Sequence, residues 1–186
     1  MSTTVATVLP QVSTWNIDPA HSAAEFKVRH MMISNVKGQF AVRAGLLVLD
    51  DADVAKSRVE ASLDAASVNT REPQRDTHLK SADFFDVEKF PVLSFKSTRV
   101  QRKSDGELAV TGDLTVHGVT RSVLFQVEGL SAPAKDPWGN TRLGLAATAK
   151  INRKDFGLTW NATLETGGIL VGDEVTISLD VQFVKA

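Results

Sequence analysis

Cysteine is absent from all 186 residues, which excludes disulfides, thiolate-held iron–sulfur clusters and cysteine nucleophiles and leaves the redox compartment open. Excess charge of either sign is missing too. With 21 basic against 22 acidic residues, net −1, there is no global pull toward nucleic acid or an anionic membrane surface, although local patches are not excluded by that balance. No apolar run approaches the ~20 residues a membrane-spanning helix needs. The opening "MSTTVATVLPQVSTW" lacks a basic n-region and an apolar h-region, so a soluble, cytoplasmic protein is expected, periplasmic if this is a processed chain. Chemistry-bearing signatures are scarce as well. There is no G-x-S-x-G elbow and no H-E-x-x-H, and the glycines of "TGGILVGDE" follow no strand-to-helix phosphate pattern.

What the sequence does have is alternation of period two, which sends successive side chains to opposite faces of a strand. In "ELAVTGDLTVH" one face takes Leu108, Val110, Gly112, Leu114 and Val116, and the other takes Glu107, Thr111, Asp113, Thr115 and His117. The "KSDG" before it reads as a hairpin turn. The same alternation gives Val119, Val123, Phe125 and Val127, then Leu143, Leu145, Ala147, Ala149 and Ile151, then Val175, Ile177, Leu179, Val181 and Phe183. Upstream, Ala24, Phe26, Val28 and His30 share a face, and "VKGQFAVRAGLLVL", with Phe40 and Val42, continues the theme.

Antiparallel strands with one wet face must hide the other, and no βαβ alternation is present, so the fold class is all-β. Candidates of about ten residues, at ~3.3 Å each, favour a tall barrel over a sandwich. Residues 14–186 then form one domain behind a flexible arm at residues 1–13. Gly38, Gly45 and Gly112 inside strand patterns, and a phase change at Ala65 and Ala66, predict bulges or bends. The inward faces also carry small residues, among them Ala24, Ala44, Ala61, Ala147 and Ala149. In an eight-stranded barrel these either leave room for one ligand or are filled across by the nine Phe and three Trp.

One segment breaks the alternation: "NTREPQRDTHLKSADFFDVEKFP", residues 69–91. Pro73 suits a first helical turn, so a short helical excursion around residues 72–83 is expected, with a second turn near "RKDFGL". Arg75, His78, Leu79 and Ala82 would share a helix side, and Arg71 would reach the same rim. Two guanidiniums and an imidazole near a helix start suit an anion such as a phosphate. The alternative is an Arg75 and Asp76 network that staples the excursion to the barrel. Asp76 and His78 are two apart and face differently on a helix, so no metal is expected. Phe84, Phe85 and Phe90 read as an end plug or a greasy mouth. His30, beside Phe26 and Val28, is a hydrogen-bonded core residue or a lining one. His21, after a turn at Asp18 and Pro19, reads as a local cap or as part of a polar rim.

These pieces together resemble the YceI-like family of lipid-binding proteins. The resemblance lies in "IDPAHSAAEFKVRHMMISNVKGQF", in "SVNTREPQRDTHLKSADFFDVEKFPVLSFKS", and in "GDLTVHGVTRSV", "INRKDFGL" and "VGDEVTISL", in the family's order over residues 14–186. It implies an extended lipocalin-like antiparallel barrel with an apolar tunnel for a polyisoprenoid, an isoprenoid quinone or a fatty amide, without a settled enzymatic activity. No cofactor is expected beyond that lipid, and no nucleic acid. On this reading the tunnel draws on Phe26, Val28, His30, Phe40, Val42, Phe84, Phe85, Phe95, Leu114, Val116, Phe125, Ala147, Ala149, Ile177 and Leu179. Arg71, Arg75 and His78 are the candidates for a polar or phosphorylated head. The rival readings are an enzyme acting on such an amphiphile, with His30 or the Arg75, Asp76 and His78 group handling protons, and a filled barrel that works through its surface as a partner or stress protein. For the carrier reading, a homodimer that covers the mouth is a further option, with no interface readable in the sequence.

Overall fold

The computed structural model describes residues 11–104 and 106–186, so most of the expected arm and Asp105 of the "KSDG" turn lie outside the described residues. Val12 and Ser13, assigned to the arm, already belong to the first strand. In order the elements are β1 (Val12–Ile17), β2 (Ala23–His30), β3 (Ser34–Asp50), β4 (Arg58–Asn69), α1 (Pro73–Lys80), β5 (Val92–Arg102) and β6 (Leu108–Val116). They continue with β7 (Val119–Glu128), β8 (Ala134–Lys135), β9 (Thr141–Asn152) and β10 (Val171–Lys185).

The strands β2–β3–β4–β5–β6–β7–β9–β10 pair antiparallel in that order, and the β10–β9 ladder, from Glu174↔Asn152 to Val184↔Arg142, closes the ring. The barrel expected from one-sided alternation is therefore eight-stranded. β1 pairs with the end of β10 and the end of β3, so β1 and β2 occupy one slot in succession, separated by a 3-10 turn at Pro19–His21. β3 is 17 residues long and β10 is 15, far beyond the usual five or six, which makes the barrel tall.

Strand direction gives the barrel two distinct ends. One gathers the start of β1, the end of β10 and the β3–β4, β5–β6 and β7–β9 connections. The other, the mouth, gathers α1, the β2–β3 turn at Met31–Ile33, the β6–β7 turn and the 153–170 connection. At the first end Trp15, Leu47, Leu143, Val181 and Phe183 are buried against one another as a plug.

Inward faces follow the alternation in β6 and β7, where Leu108, Val110, Leu114, Val116, Val123, Phe125 and Val127 are buried. Bulges interrupt it elsewhere. Between Asp64↔Ala41 and Asn69↔Gln39 the intervening stretch of β4 faces a single residue of β3, which is the phase change expected at Ala65 and Ala66. A second shift, between Val42 and Ala44, turns Ala44 outward and exposed, so it is not an inward small residue. Gly38 marks no bulge. It sits in register opposite Phe26, whose ring would lie 2.4 Å from an added Cβ, whereas Gly112, covered by Phe95 at the same 2.4 Å, does border an irregularity, the shift between Ser97↔Gly112 and Arg99↔Thr111. These glycines let aromatic rings lie flat on the wall.

The helix is shorter than expected because the chain turns at Ser81, whose backbone N–H bonds to the His78 carbonyl. His117, assigned to the outer polar face of β6, instead occupies the β6–β7 turn with φ 53°. There its Nδ1 lies 3.3 Å from the Phe156 carbonyl and its ring meets Phe90. Among the described residues no helix is long and apolar enough to cross a membrane.

Candidate functional site

Between the plug and the mouth the inward side chains enclose a cavity of about 520 Å³, inside the range of ~300–1,000 Å³ usual for small-molecule sites. It is blind. The wall comes from residues two apart on successive strands: Phe26 and Val28 of β2, Phe40 of β3, Leu63 of β4, Leu93 and Phe95 of β5, Leu114 and Val116 of β6, Phe125 of β7, Ile177 and Leu179 of β10. Phe84 and Phe85 close over it beneath α1. Phe85 meets Phe40 edge-on at 5.2 Å and Phe95 meets Phe125 at 5.1 Å, ring contacts that fix the wall's shape.

Twelve of the tunnel residues expected from sequence are thus brought together: Phe26, Val28, His30, Phe40, Phe84, Phe85, Phe95, Leu114, Val116, Phe125, Ile177 and Leu179. Three are not. Ala147 and Ala149 are buried, but they pair with Leu179 and Ile177, whose larger side chains form the wall there. Val42 is buried next to the β3 bulge and borders a shallow groove with Ser22, Gln39 and Ser67 instead.

Polar lining is concentrated at the mouth, in Arg29, His30, Glu72, Gln74, Arg75, His78 and Arg153. Most of it is already engaged by the protein. Glu72 caps α1, accepting from Gln74 N at 3.2 Å and Arg75 N at 2.6 Å, so the amide donors expected for an anion at the helix start are filled by an internal carboxylate. Arg75 donates from Nε to Thr70 Oγ1 at 2.7 Å and from Nη2 to the Thr70 carbonyl at 2.8 Å. Asp76 accepts from the same threonine's N and Oγ1 at 2.8 and 2.6 Å. The staple expected of Arg75 and Asp76 therefore exists, with Thr70 as its hub rather than a direct ion pair. Arg71 does not reach the rim: it is exposed, with φ 67°, where the chain reverses from β4 into the helix.

His78 Nε2 lies 2.9 Å from Asp83 Oδ2, and its ring packs edge-on against Phe84 and Trp160 at 5.1 and 4.7 Å. This aromatic trio joins the lid to the 153–170 connection across the mouth. Trp160 and Arg153 were not among the sequence candidates. Arg153 is 4% exposed and donates to the carbonyls of Gly172, Leu158, Trp160 and Val171 at 2.8, 2.6, 2.8 and 3.3 Å. Burial pulls its pKa below the ordinary arginine value, and Asp173 nearby opposes that shift. With its donors spent on backbone, it pins the connection that frames the mouth. Among the described residues no group of His, Asp or Glu gathers in a way that could hold a metal.

Comparison with known proteins gives a consistent answer. The sequence model of the YceI-like domain matches residues 15–183. A Vibrio cholerae UPF0312 protein is 41% identical over 139 residues, 75% of this chain and 73% of that protein. A Staphylococcus aureus UPF0312 protein is 35% identical over 173 residues, 92% of this chain and 98% of that one. Among solved structures, the Campylobacter jejuni YCEI protein is similar with a TM-score of 0.68 at 28% identity, covering 85% of this chain and 90% of that chain. A polyisoprenoid binding domain from Saccharophagus degradans superposes with a TM-score of 0.67 at 16% identity, over 95% of this chain and 100% of that chain.

Proposed function

We propose, from the premise that the chain belongs to the YceI-like domain family, that it binds a polyisoprenoid or similar long-chain amphiphile, carrying or storing it with the tail in the blind cavity and the polar end at the mouth. The observation that carries this reading is the sorting of the lining: apolar from the plug to the lid, polar at the mouth. Each buried CH₂ contributes about 0.8 kcal/mol, so an extended tail is held without specific hydrogen bonds. The Saccharophagus neighbour, itself a polyisoprenoid binding domain, supports the ligand class through shared fold alone.

The head group follows from what the mouth has left to give. The helix amides are capped by Glu72, four of the five Arg153 N–H donors go to carbonyls, and Arg75 has two of its three nitrogens committed to Thr70. Among the described residues the lining donors without a partner of their own then include the third Arg75 nitrogen, Gln74 and His30, a set that suits a weakly polar head such as a quinone carbonyl or a hydroxyl. The same accounting favours binding over catalysis, since a general base needs a free reach to its substrate.

The test is to denature purified protein, extract it and identify what is released by mass spectrometry, then to measure binding of a fluorescent long-chain isoprenyl probe to wild type and to Ala61→Phe. Ala61 lines the cavity, so the added ring fills the bore, with expected probe affinity lower by roughly tenfold or more. Equal binding by the two proteins would place the ligand elsewhere and end the reading. Turnover of a bound amphiphile that disappears in His30→Ala or His78→Ala would favour the enzyme instead.

A further inference from the structure

The β2–β3 hairpin ends at the mouth in three consecutive apolar residues, Met31, Met32 and Ile33, which are 40%, 55% and 75% exposed. Floppiness does not account for this. Met31 and Met32 sit at φ 50° and 61°, an uncommon conformation for bulky side chains, and the tip is fastened on three sides. Met31 N donates to the Leu170 carbonyl at 2.8 Å, Ile33 N to the His30 carbonyl at 3.1 Å, and Arg29 Nη2 to the Met32 carbonyl at 2.6 Å. A pinned backbone therefore presents apolar side chains to solvent beside the opening of an apolar cavity.

The stem below the tip is basic. Lys27 and Lys37 are exposed and face each other in direct register, an arrangement that costs stability unless an anion is met, and Arg29 is exposed two pairs nearer the tip, opposite Asn35. Among the described residues the nearby acids are engaged elsewhere: Glu174 with Lys150 at 3.3 Å and Asp173 with Lys154 at 3.1 Å. Glu25, further from the tip, is the one acid on the same face of the hairpin.

We infer that this hairpin docks the mouth onto a bilayer carrying anionic headgroups, with Met31, Met32 and Ile33 entering the acyl boundary while Lys27, Arg29 and Lys37 lie among the phosphates. Apolar tips flanked by cations bind such surfaces by combining area with charge. A second copy of the chain fits worse. Three protruding side chains fall short of the ~1,000 Å² a stable interface needs, and a two-fold pairing through this patch would set the cations against their own counterparts. The inference rests on the proposed lipid cargo for its purpose, because docking opens the cavity directly onto the phase where such a ligand resides.

Co-sedimentation of the full chain with vesicles of phosphatidylcholine, with and without phosphatidylserine, tests it. Wild type should pellet with the phosphatidylserine vesicles and be released by salt. Met32→Asp combined with Ile33→Asp should lose roughly tenfold or more of that binding. Lys27→Gln and Lys37→Gln should each cost on the order of five-fold, the factor that about 1 kcal/mol per cation represents. Trp138→Asp, which alters a side chain 81% exposed at the opposite end, should change nothing. Vesicle binding that is absent in wild type, survives the paired tip substitution or depends on Trp138 would overturn the inference, as would a wild-type dimer that the tip substitution dissociates. Isoprenyl-probe binding in vesicle-free buffer is measured on the same proteins and should be unchanged by the tip variants. Its loss in wild type with docking intact would sink the cargo reading and leave the docking surface standing.

Discussion

At the closed end, inward side chains from β1, β3, β9 and β10 meet one another, and Trp15 is 2% exposed with Lys185 Nζ 5.8 Å above its ring. Toward the mouth, β3, β9 and β10 continue, yet the inward residues of the barrel stand apart around a cavity. The strands and the pleat are shared. What differs is the occupant of the slot between β3 and β10: β1 sends Trp15 across the bore, whereas β2 supplies Phe26, held flat against Gly38. Polar groups divide in the same way. The closed end keeps its ion cluster outside the barrel, and the mouth draws a buried arginine inside and engages four of its donors with carbonyls. Stability and ligand space are thus assigned to opposite ends of one sheet.

The sharpest way to break that comparison is at the plug. Trp15→Ala removes a buried indole from the middle of a packed cluster and should lower unfolding stability by about 3–5 kcal/mol, read from urea titration. Phe85→Ala, at the cavity side, should cost clearly less, because that ring already faces empty space on part of its surface. Equal losses would mean that the mouth contributes to holding the barrel together as much as the plug does.

Period-two alternation was enough to read the strands, most of their inward faces and the barrel, because the pleat fixes facing residue by residue; it failed where a bulge turns Ala44 outward and where the chain reverses at His117. It could not read height along the bore. Ala147 and Ala149 face inward as expected, but whether they touch the cavity depends on Leu179 and Ile177 across the ladder, which is register rather than pattern. Arg153 was invisible for another reason. In "INRKDFGL" it resembles any surface cation, and its partners are backbone carbonyls, which leave no mark in a sequence. Trp160 carried a weak signal, as a large aromatic in a turn-rich stretch without alternation. The ion cluster joins Asp18 to Arg142 across a sequence separation of 124, beyond any local reading.

That cluster offers a second, smaller test. Arg142 reaches Asp18 through Nη1 at 2.5 Å and Asp136 through Nε at 2.7 Å. The guanidinium, with His21 assisting, lowers the Asp18 pKa from 3.8 to about 2, and Arg142 also holds Asp136 well below the usual carboxylate range. A carboxylate depressed in the folded state releases its proton earlier there than in the unfolded chain. Its stabilisation is therefore complete above the unfolded value near 3.8 and is lost as pH falls through the folded value near 2. Arg142→Leu should be less stable than wild type at neutral pH, and the gap should close as pH falls across that window, in denaturant titrations at stepped pH. A gap unchanged by acid would show that Arg142 acts by packing on the barrel wall. Because the cluster is outside the bore, isoprenyl-probe affinity should be the same in both proteins.

The smallest global effect belongs to the lid. α1 has no buried residue of its own, so it is held by its cap, by the Arg75 and Asp76 contacts to Thr70, and by the phenylalanines that follow it. Glu72→Ala leaves Gln74 N and Arg75 N without their acceptor, a loss worth about 1 kcal/mol at typical N-caps. If the mouth opens as a unit separate from the barrel, that cost is felt where the helix frays and hardly at all in global unfolding, since a segment that opens below the global transition contributes little to it. Amide exchange within Pro73–Lys80 should then speed up by roughly 5-fold, the factor about 1 kcal/mol corresponds to, while amides of β1 and of the end of β10 keep their wild-type rates. Acceleration of both sets together would tie lid and plug into one cooperative unit, and the division of labour between the two ends would have to be abandoned.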